Sequence, residues 1–227
     1  MRLIDDDQGD SRLAAQDSRV QLEASDAQPG HPGRHSPVGL EADLRLPARA
    51  RGLVIFAHGS GSSRFSPRNR AVAEALVEAG FATLLLDLLT EAEAPQRANV
   101  FDVELLSERS LDALAWARAE PELQGLPIGL FGASTGAAAA ISAAASRPGQ
   151  VGAVVSRGGR PDLAGRALER IRVPTLLIVG GADPIVLELN QQALARLRGP
   201  KELQIVPGAS HLFPERGALE AVMTHAS

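Results

Sequence analysis

The chain has 227 residues, 44% of them hydrophobic and 22% charged, which suits one α/β domain with a buried sheet. Its net charge of −4 argues against a nucleic-acid partner, which needs a concentrated basic face. No cysteine is present, so disulfides, thiolate metal sites and a cysteine nucleophile are excluded.

Residues 1–18 are polar and acidic and read as a disordered N-terminal tail, without the apolar segment of a secretory signal. No apolar run approaches the roughly 20 residues that span a bilayer, so a cytoplasmic protein with no membrane partner is expected. Residues 19–227 read as a single domain. "VQLEA" from Val20 predicts a short edge strand, and residues 28–37, "QPGHPGRHSP", predict a loop. "VGLEADLRLP" from Val38 alternates apolar and polar residues. It predicts a half-exposed strand suited to an antiparallel edge.

From Gly52 the pattern changes to continuous apolar runs, as in strands buried on both faces. "GLVIFAHG" predicts a strand, "SPRNRAVAEALVEAG" a helix capped at Gly80, and "FATLLLDLL" a strand. A helix over 103–120 stops at Pro121, followed by the strand "PIGLFGAS", the helix "TGAAAAISAAASRP" and the strand "VGAVVSRGG". "DLAGRALERI" is a short helix, "VPTLLIVGGAD" a strand and "PIVLELNQQALARLRG" a helix; "KELQIVPGASH" is the last strand and "PERGALEAVMTHA" the last helix. This alternation predicts an α/β fold, a mostly parallel sheet with helices on both faces.

Reactive groups in such a sheet belong at the carboxyl ends of the strands. Ser134 sits there, in "GASTG", between a strand and a helix. A turn this sharp forces unusual backbone angles on the serine, and Gly132 and Gly136 remove the side chains that would clash. A serine hydroxyl needs a base, and the base needs an orienting group. Of the two histidines after Ser134, His211 follows the last strand, whereas His225 lies near the end of the terminal helix and reads as solvated. Asp183 follows the preceding strand, in "GGADP"; it reads either as the orienting carboxylate or as the cap of the next helix. The expected catalytic set is Ser134, Asp183 and His211, with no metal and no cofactor. An oxyanion hole is expected from the backbone N–H of Thr135 together with Ser60 or Gly61 in the loop "HGSGSSR". His58 reads as a brace for that loop.

Through "HGSGSSR", "GASTG", "GGADP" and "GASH", the chain from about Val38 to its end resembles the α/β-hydrolase superfamily, and most closely its small dienelactone-hydrolase-like members. The resemblance implies an eight-stranded α/β-hydrolase fold and hydrolysis through an acyl-serine intermediate. It assigns nucleophile, acid and base to Ser134, Asp183 and His211. The founding dienelactone hydrolases use cysteine where this chain has serine, so their lactone substrate is not carried over. Similar domains also occur attached to phosphoribosyltransferases, for which this chain has no room.

Only "RGGRPDLAGRALERI" separates the sixth and seventh strands, so no large lid is expected. Arginines cluster in the site loops: Arg64, Arg68 and Arg70, then Arg157 and Arg160. Arg64 and Arg157 are candidate binders of an anionic small-molecule substrate. The competing reading is loop bracing by salt bridges to Asp87 or Asp162. The expected function is a serine hydrolase of small esters, lactones or thioesters. Two alternatives remain: a non-catalytic binding or regulatory protein of the same fold, or a nucleotide-binding protein using "HGSGSS". The latter lacks the third glycine of a dinucleotide loop, since Arg64 stands in its place. Nothing in the sequence reports the oligomeric state.

Overall fold

The computed structural model describes residues 15–25 and 37–227. Eight strands, β1 (Gln16–Ser25), β2 (Pro37–Leu46), β3 (Leu53–Ala57), β4 (Ala82–Leu86), β5 (Ile128–Ala133), β6 (Ala153–Arg157), β7 (Thr175–Gly180) and β8 (Lys201–Val206), form one sheet in the order β1-β2-β4-β3-β5-β6-β7-β8. β2 runs antiparallel to both β1 and β4, and every later pairing is parallel. Among the described residues seven helices accompany it: α1 (Pro67–Glu78), α2 (Arg97–Val100), α3 (Val103–Ala119), α4 (Thr135–Ser146), α5 (Ala167–Arg170), α6 (Pro184–Arg196) and α7 (Ala218–Ala226).

The N-terminal part differs from expectation in two ways. β1 opens at Gln16, inside the stretch expected to be a tail, and pairs with β2 along its whole length. The edge position falls to β1, as expected of the strand from Val20, and β2, read as suited to an antiparallel edge, is the second strand. The reason is tertiary: Val20 and Leu22 of β1 pack into the core beneath α3, which gives β1 a buried face of its own. Residues 1–14 and 26–36, which hold the rest of the expected tail and most of the expected loop, lie outside the described residues. α2 was not expected, because four residues carry no readable periodicity.

The sheet separates two apolar layers. One is built on Leu40, Ile55, Leu84 and Leu130 against α3 and α4; the other joins Phe56, Leu85, Phe131 and Ile178 to α1 and α7. In α4, Ala137, Ala138, Ala139 and Ala140 are all fully buried. A helix apolar on every side belongs in the interior, and methyl side chains let it approach both β5 and α3. Between β6 and β7 stand only a 3-10 turn, Pro161–Ala164, and α5, so no large lid covers the carboxyl edge. Among the described residues no helix is long and apolar enough to cross a membrane.

Leu84 lies at the middle of β4, with no exposed surface. Truncation to alanine should cost about 2–5 kcal/mol, read as a lowered midpoint of urea unfolding.

Candidate active site

Ser134 occupies the single residue between β5 and α4, with φ 50° and ψ −122°. A side-chain-bearing residue reaches such angles only under constraint, at a cost of about 1–3 kcal/mol. The surroundings supply that constraint. A Cβ on Gly136 would lie 2.1 Å from the Ala57 carbonyl oxygen, and one on Gly132 would lie 2.4 Å from Ala137 Cα. Both glycines thus serve the close approach expected of them. Gly59 is a third, which the sequence reading did not single out: a Cβ there would meet Ser134 Cβ at 2.8 Å. The Ser134 carbonyl accepts from the N–H groups of Ala137 and Arg160, and its own N–H donates to Arg157 O at 3.4 Å.

Asp183 and His211 come together. His211 Nδ1 lies 2.8 Å from Asp183 Oδ2. A carboxylate only accepts, so the ring proton sits on Nδ1 and Nε2 is left as the basic nitrogen. The other carboxylate oxygen, Oδ1, accepts from the Val186 N–H at 3.4 Å and caps α6. Both readings of Asp183 therefore hold, one oxygen for each. The turn carrying Asp183 and the loop carrying His211 are tied by backbone bonds, Gly181 N to Val206 O and Ala182 N to Ala209 O.

Two further glycines let the His211 loop settle on the strand ends. A Cβ on Gly180 would lie 2.2 Å from Ala209 O; one on Gly158, at φ 50°, would lie 2.9 Å from His211 O. Gly158 directly follows Arg157, the residue paired with Ala133 beside Ser134. The imidazole thus stands on the same rim as Ser134. Among the described residues the Ser134 hydroxyl makes no hydrogen bond, to His211 or to any other group. Catalytic hydrogen bonds are often loose before substrate arrives.

The expected oxyanion residues border a cavity of about 750 Å³, lined by Ser60, Gly61 and Thr135 together with Leu89, Val100 and Leu106. Gly59–Ser62 is a tight turn closed by Ser62 N to Gly59 O at 3.2 Å, with Gly61 at φ 66°. That bond commits the Ser62 N–H, while no protein acceptor takes the N–H of Ser60, Gly61 or Thr135. Thr135 is the first residue of α4, so its N–H also lies at the positive end of a helix. His58 braces the turn. Its Nδ1 donates to Gly59 O and its Nε2 accepts from the Leu88 N–H, both at 2.9 Å. Burial lowers its pKa from the ordinary 6.5, against smaller upward pulls from the Gly59 bond and from Asp87.

The two candidate substrate arginines separate. Arg64 lines the cavity, yet it bonds to Asp87 and lies within 4.0 Å of Asp43 and Glu41. Three carboxylates already match its charge, so it braces the loop rather than awaiting an anion. Arg160 likewise pairs with Asp162. Arg157 is buried, donates to Asn69 Oδ1 at 3.1 Å and does not line the cavity. Asn69 gave no sequence signal, since its partner lies 88 residues away. No group of three or more histidine, aspartate or glutamate side chains suited to a metal occurs among the described residues.

The profile of the dienelactone hydrolase family matches residues 40–226. The chain belongs to that family. Membership sets it among hydrolases of ester-type bonds. Its structure superposes on a dienelactone hydrolase from Anabaena variabilis with a TM-score of 0.84 and 50% identity, over 93% of this chain and 95% of that one. Est1E from Butyrivibrio proteoclasticus shares the fold at a TM-score of 0.72 and 18% identity, over 91% and 95% of the two chains. A putative phosphoribosyl transferase of Mycobacterium tuberculosis is 59% identical over 186 residues, which are 82% of this chain and 42% of that protein. The chain thus spans less than half the length of this relative, and phosphoribosyl transfer is not carried over to this dienelactone hydrolase family member.

Two outcomes follow. Gly136→Ala should cost about 3 kcal/mol, since its Cβ would meet backbone that cannot swing aside. His58, with a folded-state pKa below its unfolded value, stabilises the fold fully above pH 6.5 and loses that contribution as pH falls below it. The urea midpoint should therefore drop as pH falls below about 6.5, and His58→Gln should flatten the drop.

Proposed function

We propose that this family member is a cytoplasmic serine hydrolase of small esters, lactones or thioesters, working through an acyl-Ser134 intermediate. The observation that carries this reading is the 2.8 Å bond between Asp183 and His211. It fixes a basic Nε2 on the rim that also holds Ser134 in its strained turn. Ser134 Oγ attacks the substrate carbonyl carbon, and its proton passes to His211 Nε2. Negative charge gathers on the carbonyl oxygen, where Thr135 N–H and one of Ser60 or Gly61 N–H donate to it. The bond to the leaving oxygen or sulfur then breaks, and His211 returns the proton to the departing group. Water, deprotonated by the same nitrogen, releases the acid and restores the hydroxyl.

The cavity beside Thr135 offers the acyl group an apolar wall of Leu89, Val100 and Leu106. An edge without a large lid favours short substrates over long acyl chains, whose burial needs a covered apolar surface. A non-catalytic protein of the same fold is the competing reading. It has no need for a histidine whose tautomer is fixed by a carboxylate.

A fluorophosphonate probe should label wild type on Ser134, read by peptide mass, and leave Ser134→Ala unlabelled. Asp183→Asn should lower kcat for p-nitrophenyl acetate by about 10⁴-fold, through the wrong tautomer. An unchanged rate in Asp183→Asn, or an unlabelled wild type, would favour the non-catalytic protein.

A further inference from the structure

Three arginine side chains are buried among the described residues: Arg64, Arg109 and Arg157. The first meets Asp87, Asp43 and Glu41, and the second meets Glu93. Among the described residues Arg157 has no carboxylate within 4.0 Å. Its Nη2 donates to the neutral Asn69, and the Phe213 ring centre lies 5.9 Å from its Cζ. Its buried Nε has no acceptor. A buried charge without an opposite partner is costly.

The surroundings add positive charge instead of removing it. Arg68, next to Asn69 in the first turn of α1, also has no carboxylate partner among the described residues, and its Nε is buried without an acceptor. The first turn of α1 contains no acidic residue; Ser66 takes the N–H groups of Asn69 and Arg70, and Pro67 has none, so the Arg68 N–H is the donor left at this positive helix end. Burial, and then the Arg68 charge, push the Arg157 pKa down to about 10, which leaves it a cation at neutral pH. Asn69 ties Arg157 to the first turn of α1 beside Arg68, while nearby carboxylates are engaged elsewhere: Asp43 and Asp87 by Arg64, Asp162 by Arg160, Asp183 by His211 and Glu215 by the Ser210 N–H.

We propose that Arg68, Arg157 and the first turn of α1 form a binding site for a small anion, a carboxylate or a phosphate group. Guanidinium groups suit both through paired N–H donors. The site lies next to the catalytic rim: Arg157 O accepts from the Ser134 N–H, and Phe213 follows His211 by two residues. The proposal does not depend on turnover, so it can fail while the hydrolase reading stands, and the reverse.

The test is thermal unfolding of the full chain in sodium chloride, phosphate and acetate at equal ionic strength. Phosphate or acetate should raise Tm above chloride by about 3 °C at about ten times its Kd. The anion with the larger effect identifies the chemistry. Truncating the buried Arg157 risks the fold, so Arg68→Gln, on a half-buried side chain, carries the test and should lose most of the shift. Ser134→Ala should keep it. Equal Tm in the three salts would overturn the proposal. So would a full shift in Arg68→Gln, which would place the anion elsewhere, for example at the oxyanion turn.

Discussion

The backbone at Ser134 is the constraint from which the site is built. At φ 50° the residue pays conformational strain of about 1–3 kcal/mol, and three close approaches hold it there. Gly136 sits against the carbonyl end of β3, Gly132 against the start of α4, and Gly59 against the serine itself. The turn sets Ser134 between the end of β5 and the start of α4 and leaves the next N–H at the helix N-terminus. The strain at Ser134 and the free N–H of Thr135 at the helix end, the basis of the proposed nucleophile and oxyanion donor, are thus consequences of one geometry. The alanines of α4 belong to the same argument, because only a slim helix can leave a turn this tight and still pack on β5 and α3.

Around that turn the charged groups are sorted by what they meet. His58 is buried between two backbone partners and favours its neutral form. Arg64 is neutralised by acidic side chains from β2 and the loop after β4, which fastens the oxyanion turn to the antiparallel part of the sheet. Asp183 divides its two oxygens between a helix cap and a histidine. The loops carrying His58, Arg64 and Asp183 are tied to neighbouring segments by such bonds, so under the proposed mechanism these groups are held before a substrate arrives. That preorganisation is what electrostatic stabilisation of a transition state requires. Arg157 and Arg68 depart from the pattern, with no carboxylate partner among the described residues.

The central sheet was legible because buried parallel strands write themselves as uninterrupted apolar runs, from "GLVIFAHG" to "KELQIV". The N-terminal hairpin was less so. "VQLEA" announced a short edge strand from Val20, but its start at Gln16 and its pairing along the whole of β2 depended on Leu22 finding α3. At the site, "GASTG" was readable because the glycine spacing expresses a steric demand within five residues. The functions of Gly59, Gly158 and Gly180 were not, since each yields space to a segment distant along the chain. For Arg64 the sequence admitted both an anion site and a salt bridge, and only the carboxylates folded around it decided between them.

By itself the sequence determined the alternating architecture, the strained turn at Ser134 and the positions of Asp183 and His211 at strand ends. All of these are local patterns of hydrophobicity, glycine and capping residues. Tertiary structure alone decided the pairing of Asp183 with His211, the neutralisation of Arg64 and the isolation of Arg157. Such contacts join residues tens of positions apart, and a hydrogen bond or ion pair is set by distance in space, which no short stretch of chain encodes.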